Sequence, residues 1–246
     1  INVTLNPLRI TKIFRMEIRM ENRKPLFLFI HGAGGTSSKW RMQKKEIQAI
    51  YIDLPGHGKS KEPLKSTIKE YATWLVETIE DDVIVVGHSM GGLIGIELAS
   101  ISHKVKGLVF ANSHYELPVH EKILKELANG VMPESFFYAS YSKQVSQELL
   151  EKEKEERKST PVSVMYTDLV ACDQYKAGKE AVAKLKIPML AVYGTEDRLI
   201  PKDAMDQLVV RNHEIAKEII PHSGHYSMLE QPKRFNEVIL KFRDKF

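Results

Sequence analysis

Val83-Ile84-Val85-Val86-Gly87-His88-Ser89-Met90-Gly91 sets four β-branched residues against a Gly-x-Ser-x-Gly pentapeptide, and residues 91–100 beyond it carry helical spacing. A continuous Val/Ile run has no polar face to offer water, so it suits a strand buried on both sides. The strand must turn sharply into the helix. A serine at that corner takes strained dihedrals, and flanking glycines keep backbone and side chains from clashing. Ser89 then stands exposed at a helix N-terminus, where free N–H groups and the helix dipole favour developing negative charge. The pentapeptide alone occurs by chance; the strand before it and the helix after it make Ser89 a candidate nucleophile.

The same grammar recurs on both sides of this stretch. Pro25-Leu26-Phe27-Leu28-Phe29-Ile30 runs into His31-Gly32-Ala33-Gly34-Gly35, and Ala49-Ile50-Tyr51-Ile52-Asp53 into Leu54-Pro55-Gly56-His57-Gly58-Lys59-Ser60. Residues 107–111, 188–193 and 218–220 supply further apolar runs, and residues 8–20 an edge strand or hairpin. Helical spacing appears at 37–46, 67–79, 91–100, 203–211 and 232–246. Strands alternating with helices predict an α/β fold with a mostly parallel, doubly wound sheet and right-handed connections. Residues 113–185 break the alternation: four helical segments, 119–129, 135–141, 144–158 and 163–171, follow one another without a strand. This predicts one domain whose core comprises residues 1–112 and 186–246. A helical cap, 113–185, is inserted before the strand that leads to the candidate acid, over the sheet edge where such folds bind ligands.

The 246 residues are enough for a full core. The net charge of +4 comes from intermixed signs with no basic stripe, which argues against nucleic acid. The single cysteine, Cys172, allows no internal disulfide, and no histidine pair has zinc-ligand spacing, so neither metal nor cofactor is expected. No apolar run reaches the ~18 residues of a membrane span, and residues 1–20 lack the apolar core of a signal peptide. A cytoplasmic protein acting on a small molecule is expected; nothing sets its oligomeric state. The Lys/Glu-rich stretch 151–158 fits heat-tolerant ion-pair networks and equally an ordinary solvated helix.

A serine hydroxyl needs a base, and the base needs a carboxylate to hold its tautomer. His225, in the loop after the last predicted strand, is the candidate base, with His222 as its rival. Asp197, after the penultimate strand, is the candidate acid, with Glu196 beside it. The order Ser89, Asp197, His225, with the His31-Gly32 turn and the loop at 53–60, resembles the α/β-hydrolase superfamily over nearly the whole chain. Ala171-Cys172-Asp173-Gln174-Tyr175 upstream of Leu185-Lys186-Ile187-Pro188 is similar to the end of the cap in small carboxylesterases of the pimeloyl-carrier-protein methyl esterase type. The resemblance implies a serine carboxylesterase working through an acyl-enzyme, with an oxyanion hole made by the backbone N–H groups of Ala33 and Met90.

Gly32, Trp40, His114, Phe136, Phe137, Tyr141 and Met228 are candidates for a pocket favouring small to medium apolar acyl or aryl groups. His31, His57 and His88 read as structural members of their turns. Two other readings use the same motifs: a lyase or carbon–carbon bond hydrolase, and a receptor that keeps the triad. Dehalogenase and epoxide-hydrolase chemistry is disfavoured, because those relatives carry aspartate where this chain has Ser89.

Overall fold

Apolar runs with no polar face must be covered on both sides, and a parallel sheet between helices does this. In a computed structural model, which describes residues 24–246, the runs form β1 (Leu26–Ile30), β2 (Ile50–Tyr51), β3 (Val83–His88), β4 (Val105–Ala111), β5 (Met189–Gly194) and β6 (Ile215–Ile220). All pairings are parallel, in the order β2-β1-β3-β4-β5-β6. Every residue of β3 is buried, whereas β6 lies at the edge and exposes Ile219. The strand or hairpin expected at 8–20 lies outside the described residues.

The chain steps from β1 outward to β2, then returns to lay β3 on the other side of β1. Crevices form at such reversals, beyond the carboxyl ends of the strands. The turn at 31–35 leaves β1 there, and Ser89 follows β3. The fold thus brings together two motifs more than fifty residues apart in sequence.

Two apolar layers flank the sheet. On one face α1 (Ile68–Thr78) and α2 (Met90–Ile101) bury Ile68, Leu75, Leu93 and Ile96 against Leu28, Val85 and Leu108. Thr67 caps α1 by accepting from the Glu70 N–H, while Glu70 accepts from the Thr67 and Ser66 hydroxyls, so the start of the helix is written into its sequence. On the other face the C-terminal helix packs Phe235, Ile239 and Phe242 against Phe27, Val109 and Trp40. Burying each such side chain contributes ~1.5–3 kcal/mol.

Between β4 and β5 come α3 (Glu121–Ala128), α4 (Glu134–Ala139), α5 (Gln147–Lys158), α6 (Val162–Gln174) and α7 (Gly178–Lys184); after β5 come α8 (Ala204–Arg211), α9 (Ser227–Glu230) and α10 (Pro232–Arg243). Several boundaries differ from expectation. Residues 37–46 form two short 3-10 turns, Ser37–Trp40 and Gln43–Lys45, instead of one helix. Thr36 caps the first, and both Trp40 and Gln43 point into the core. α5 starts at Gln147 because the Ser146 hydroxyl accepts from the Leu149 N–H. The short helices α7 and α9 were not expected; seven and four residues give too few turns for a periodic signal.

Candidate active site

Ser89 has φ +50° and ψ −118°, a conformation that non-glycine residues rarely adopt. The glycines make it possible. A Cβ on Gly87 would sit 2.3 Å from the Gly91 carbonyl oxygen, and one on Gly91 would sit 2.4 Å from that of Ile30. The corner is pinned from outside as well, since the Ser89 N–H donates to Ala111 O at 3.1 Å and the Ser113 hydroxyl donates to Ser89 O at 2.6 Å. The Ser89 hydroxyl makes no capping bond to α2, which it precedes.

His225 Nδ1 lies 2.9 Å from Asp197 Oδ2. A carboxylate can only accept, so Nδ1 carries the proton and Nε2 is left with its lone pair. Asp197 accepts also from Asn112 Nδ2 at 2.8 Å and, at Oδ1, from the N–H groups of Leu199 at 2.9 Å and Ile200 at 3.3 Å. Burial pushes the Asp197 carboxyl up, but the facing imidazole and these donors outweigh it and hold it below the usual carboxylate range. The rivals point elsewhere. His222 is solvent-exposed with its N–H on Thr195 Oγ1, and Glu196 accepts from the Lys143 N–H.

His88 lies under the histidine loop, its ring centroid 4.8 Å from that of His225. Its Nε2 donates to the His225 carbonyl at 2.9 Å. Burial, followed by the neighbouring His225, keeps its pKa well below the ordinary value, so the ring stays neutral. Gly32 packs against this ring: a Cβ there would lie 2.8 Å from His88 Nδ1 and 3.1 Å from Ser89 Cβ. It therefore spaces the two turns and does not line a pocket. The adjacent Ala33 N–H has no acceptor among the described residues. Met90 is the first residue of α2, so its N–H belongs to the turn that a helix leaves unpaired, while its side chain is buried in the core.

A cavity of about 540 Å³ is bounded by Ala33, Ser89 and His225, with Ile123, Phe136, Met165, Leu169, Leu199 and Ile200 among its walls. Phe136 is thus on the wall. Phe137 and Tyr141 line a smaller neighbouring cavity of about 80 Å³ instead. Trp40 and Met228 are fully buried in the layer beneath the sheet, which corrects their expected place in the pocket. His114 packs in a tilted arrangement on Tyr115, ring centroids 3.8 Å apart, with Nδ1 toward Glu116 O at 3.2 Å, and is absent from the wall. Two wall elements escaped the sequence. Met165, Leu169 and Cys172 follow i, i+4, i+7 spacing on α6, a signal that could have marked one helix face. The stretch from Arg198 to Pro201 lines the cavity because Asp197 turns it inward, and nothing in its composition announces this.

Residues 27–238 match a family model described as the alpha/beta hydrolase family. The chain belongs to that family. As an alpha/beta hydrolase it is an enzyme of the hydrolase type. A relative from Yersinia enterocolitica, named pimeloyl-[acyl-carrier protein] methyl ester esterase, is 22% identical over 87% of this chain and 92% of its own. A solved structure described as a thermophilic esterase superposes with a TM-score of 0.79 at 28% identity, covering 91% of each chain. An esterase from Exiguobacterium antarcticum gives 0.80 at 17% identity, over 89% of this hydrolase and 92% of that chain, and shares the fold. Among the described residues this hydrolase has no cluster of three or more His, Cys, Asp or Glu arranged for a metal ion. No described helix is long and apolar enough to cross a membrane.

Proposed function

We propose that this chain is a serine esterase that cleaves carboxylic esters of small to medium apolar acyl or aryl groups through an acyl-enzyme. The observation that carries this is the convergence of Ser89, at a strained strand-to-helix corner, and the paired His225–Asp197 on one cavity with largely apolar walls. His225 Nε2 takes the Ser89 proton as Oγ attacks the carbonyl carbon. The oxygen, now negative, is received by the N–H groups of Ala33 and Met90. The carbonyl reforms as the alcohol leaves with the proton from His225. Water then attacks the acyl-enzyme with the same base and releases the acid. Asp197, kept ionised by its donors, holds the imidazole tautomer throughout. The helices at 113–185 serve as the cap that shields this chemistry from bulk water.

The names of the Yersinia relative and of the solved thermophilic esterase support ester cleavage. An apolar substrate is supported by the largely apolar cavity wall, where Nη2 of Arg198 is turned to the carbonyls of Tyr138 and Tyr141. Hydrolysis of p-nitrophenyl esters of increasing acyl length by wild type and Ser89→Ala tests the proposal. Wild type cleaves them with a preference for short to medium chains, and the variant loses activity by at least ~10⁴-fold. A variant with undiminished activity, or an inactive wild type, contradicts it.

A further inference from the structure

Gly34, next to the proposed oxyanion donor Ala33, is gripped from three sides by one segment of the helical insertion. Its N–H donates to Asp168 Oδ2 at 2.8 Å, and its carbonyl accepts from the Thr160 hydroxyl at 2.9 Å. Its α-carbon faces the Met165 side chain so closely that a Cβ would meet Met165 Cε at 2.5 Å. Gly34 itself has φ +58°, a conformation that leaves the turn little intrinsic preference for its place. Thr160, Met165 and Asp168 all belong to α6 or to the residues just before it.

Asp168 is fully buried and anchored on its far side. Oδ1 accepts from the Tyr71 hydroxyl at 2.9 Å, and Oδ2 meets His57 Nε2 at 2.8 Å. His57 Nδ1 faces Pro55 O at 3.0 Å. Both ring nitrogens therefore face acceptors, the arrangement of an imidazolium paired with a carboxylate. Burial pulls the His57 pKa down, but Asp168 more than reverses this and raises it. The neighbouring ring of His31, tilted with its centroid 4.9 Å away, stays neutral, its pKa brought down to about 4 by burial and by His57.

We propose that Asp168, braced by His57, is a positioning residue for the oxyanion hole. Through Gly34 it fixes the peptide unit two dihedrals from the Ala33 N–H, so α6 acts as part of the catalytic frame as well as a pocket wall. The proposal rests on the serine-esterase reading above. An oxyanion donor contributes only when aimed at the position of the developing charge, and a shift of ~1 Å in such a group can cost ~100-fold in rate. Loss of the grip should therefore appear in kcat and leave ground-state binding nearly unchanged.

The test compares Asp168→Asn, Thr160→Val and Tyr71→Phe with wild type on a p-nitrophenyl ester, with Ser89→Ala as the blank. Inhibition by phenylboronic acid is measured in parallel. Boron accepts Ser89 Oγ, whose proton passes to His225, and the resulting tetrahedral adduct is negatively charged, so its affinity reports the hole directly. Asp168→Asn and Thr160→Val are expected to lower kcat by ~10- to 100-fold with KM within about twofold, and to weaken the boronate in proportion. Tyr71→Phe removes one donor to Asp168 Oδ1 without touching Gly34, so it loosens the anchor and is expected to lower kcat and boronate affinity by a smaller factor than Asp168→Asn. Folded Asp168→Asn and Thr160→Val variants that keep kcat within about twofold overturn the inference, as does a kcat loss without a boronate loss. If Asp168→Asn does not fold, Thr160→Val decides by the same criteria. An inactive wild type overturns the esterase reading itself, and with it this inference; an active wild type with unaffected variants overturns the inference alone.

Discussion

The molecule holds two His–Asp pairs of nearly equal length. His225–Asp197 spans 2.9 Å with His225 on the wall of the cavity that Ser89 also lines, and His57–Asp168 spans 2.8 Å, wholly buried behind the turn after β1. Their second ring nitrogens differ. That of His57 is occupied by the Pro55 carbonyl, which leaves the ring with two donors and no lone pair. That of His225 meets no acceptor among the described residues, which leaves it the lone pair that the proposed proton transfer needs. The carboxylates differ too: Asp197 is held by groups of its own loop and by Asn112, whereas Asp168 joins three elements distant in sequence. On the proposed reading, a His–Asp pair serves as a base or a brace according to what the remaining nitrogen meets.

Removing each histidine should break this symmetry most sharply. His225→Ala is expected to lower kcat/KM by ~10⁴-fold or more, with a smaller loss of stability than His57→Ala because Asp197 keeps Asn112 and the Leu199 and Ile200 N–H groups. His57→Ala strands a buried carboxylate and should destabilise the fold by about 3–5 kcal/mol, measured by denaturant unfolding. Equal effects on stability from the two substitutions would contradict the division of roles.

Acid and alkali should separate the pairs next. The Asp197 pKa is depressed, so its contribution to stability is present above the ordinary carboxylate range and is lost as pH falls through the folded value. The His57 pKa is raised, so its contribution is complete below the ordinary histidine value and is lost as pH rises through the higher folded one. Melting temperature against pH should flatten on the acid side in Asp197→Asn and on the alkaline side in His57→Gln. The opposite assignment would show the signs to be wrong.

The smallest expected effect concerns the substrate. Phe136→Ala enlarges the cavity wall and should shift relative kcat/KM toward longer acyl chains by about tenfold, while His114→Ala, away from the wall, stays within about twofold. Equal shifts from both would place the acyl group elsewhere.

What was legible in the sequence divides along the same lines. Buried parallel strands write themselves as unbroken apolar runs, so β1, β3, β4 and β5 and the corner at Ser89 could be read directly. The preference for His225 over His222 and for Asp197 over Glu196 rests on loop position and motif order, because neighbours in a turn point in different directions and only coordinates tell which way. Trp40 and Met228 looked like pocket residues because they sit near the right loops in sequence, yet a large apolar side chain beside a loop is as readily drawn under the sheet. Asp168 carried no signal at all: its partners Gly34, His57 and Tyr71 lie 134, 111 and 97 residues away.

Titration with diethyl p-nitrophenyl phosphate, followed by peptide mass spectrometry, tests the central claim most directly. One equivalent of p-nitrophenol should be released per chain, with the diethylphosphoryl group on Ser89 and the reaction strongly slowed in His225→Ala. Modification of a different residue, or no modification of an active enzyme, would contradict the account.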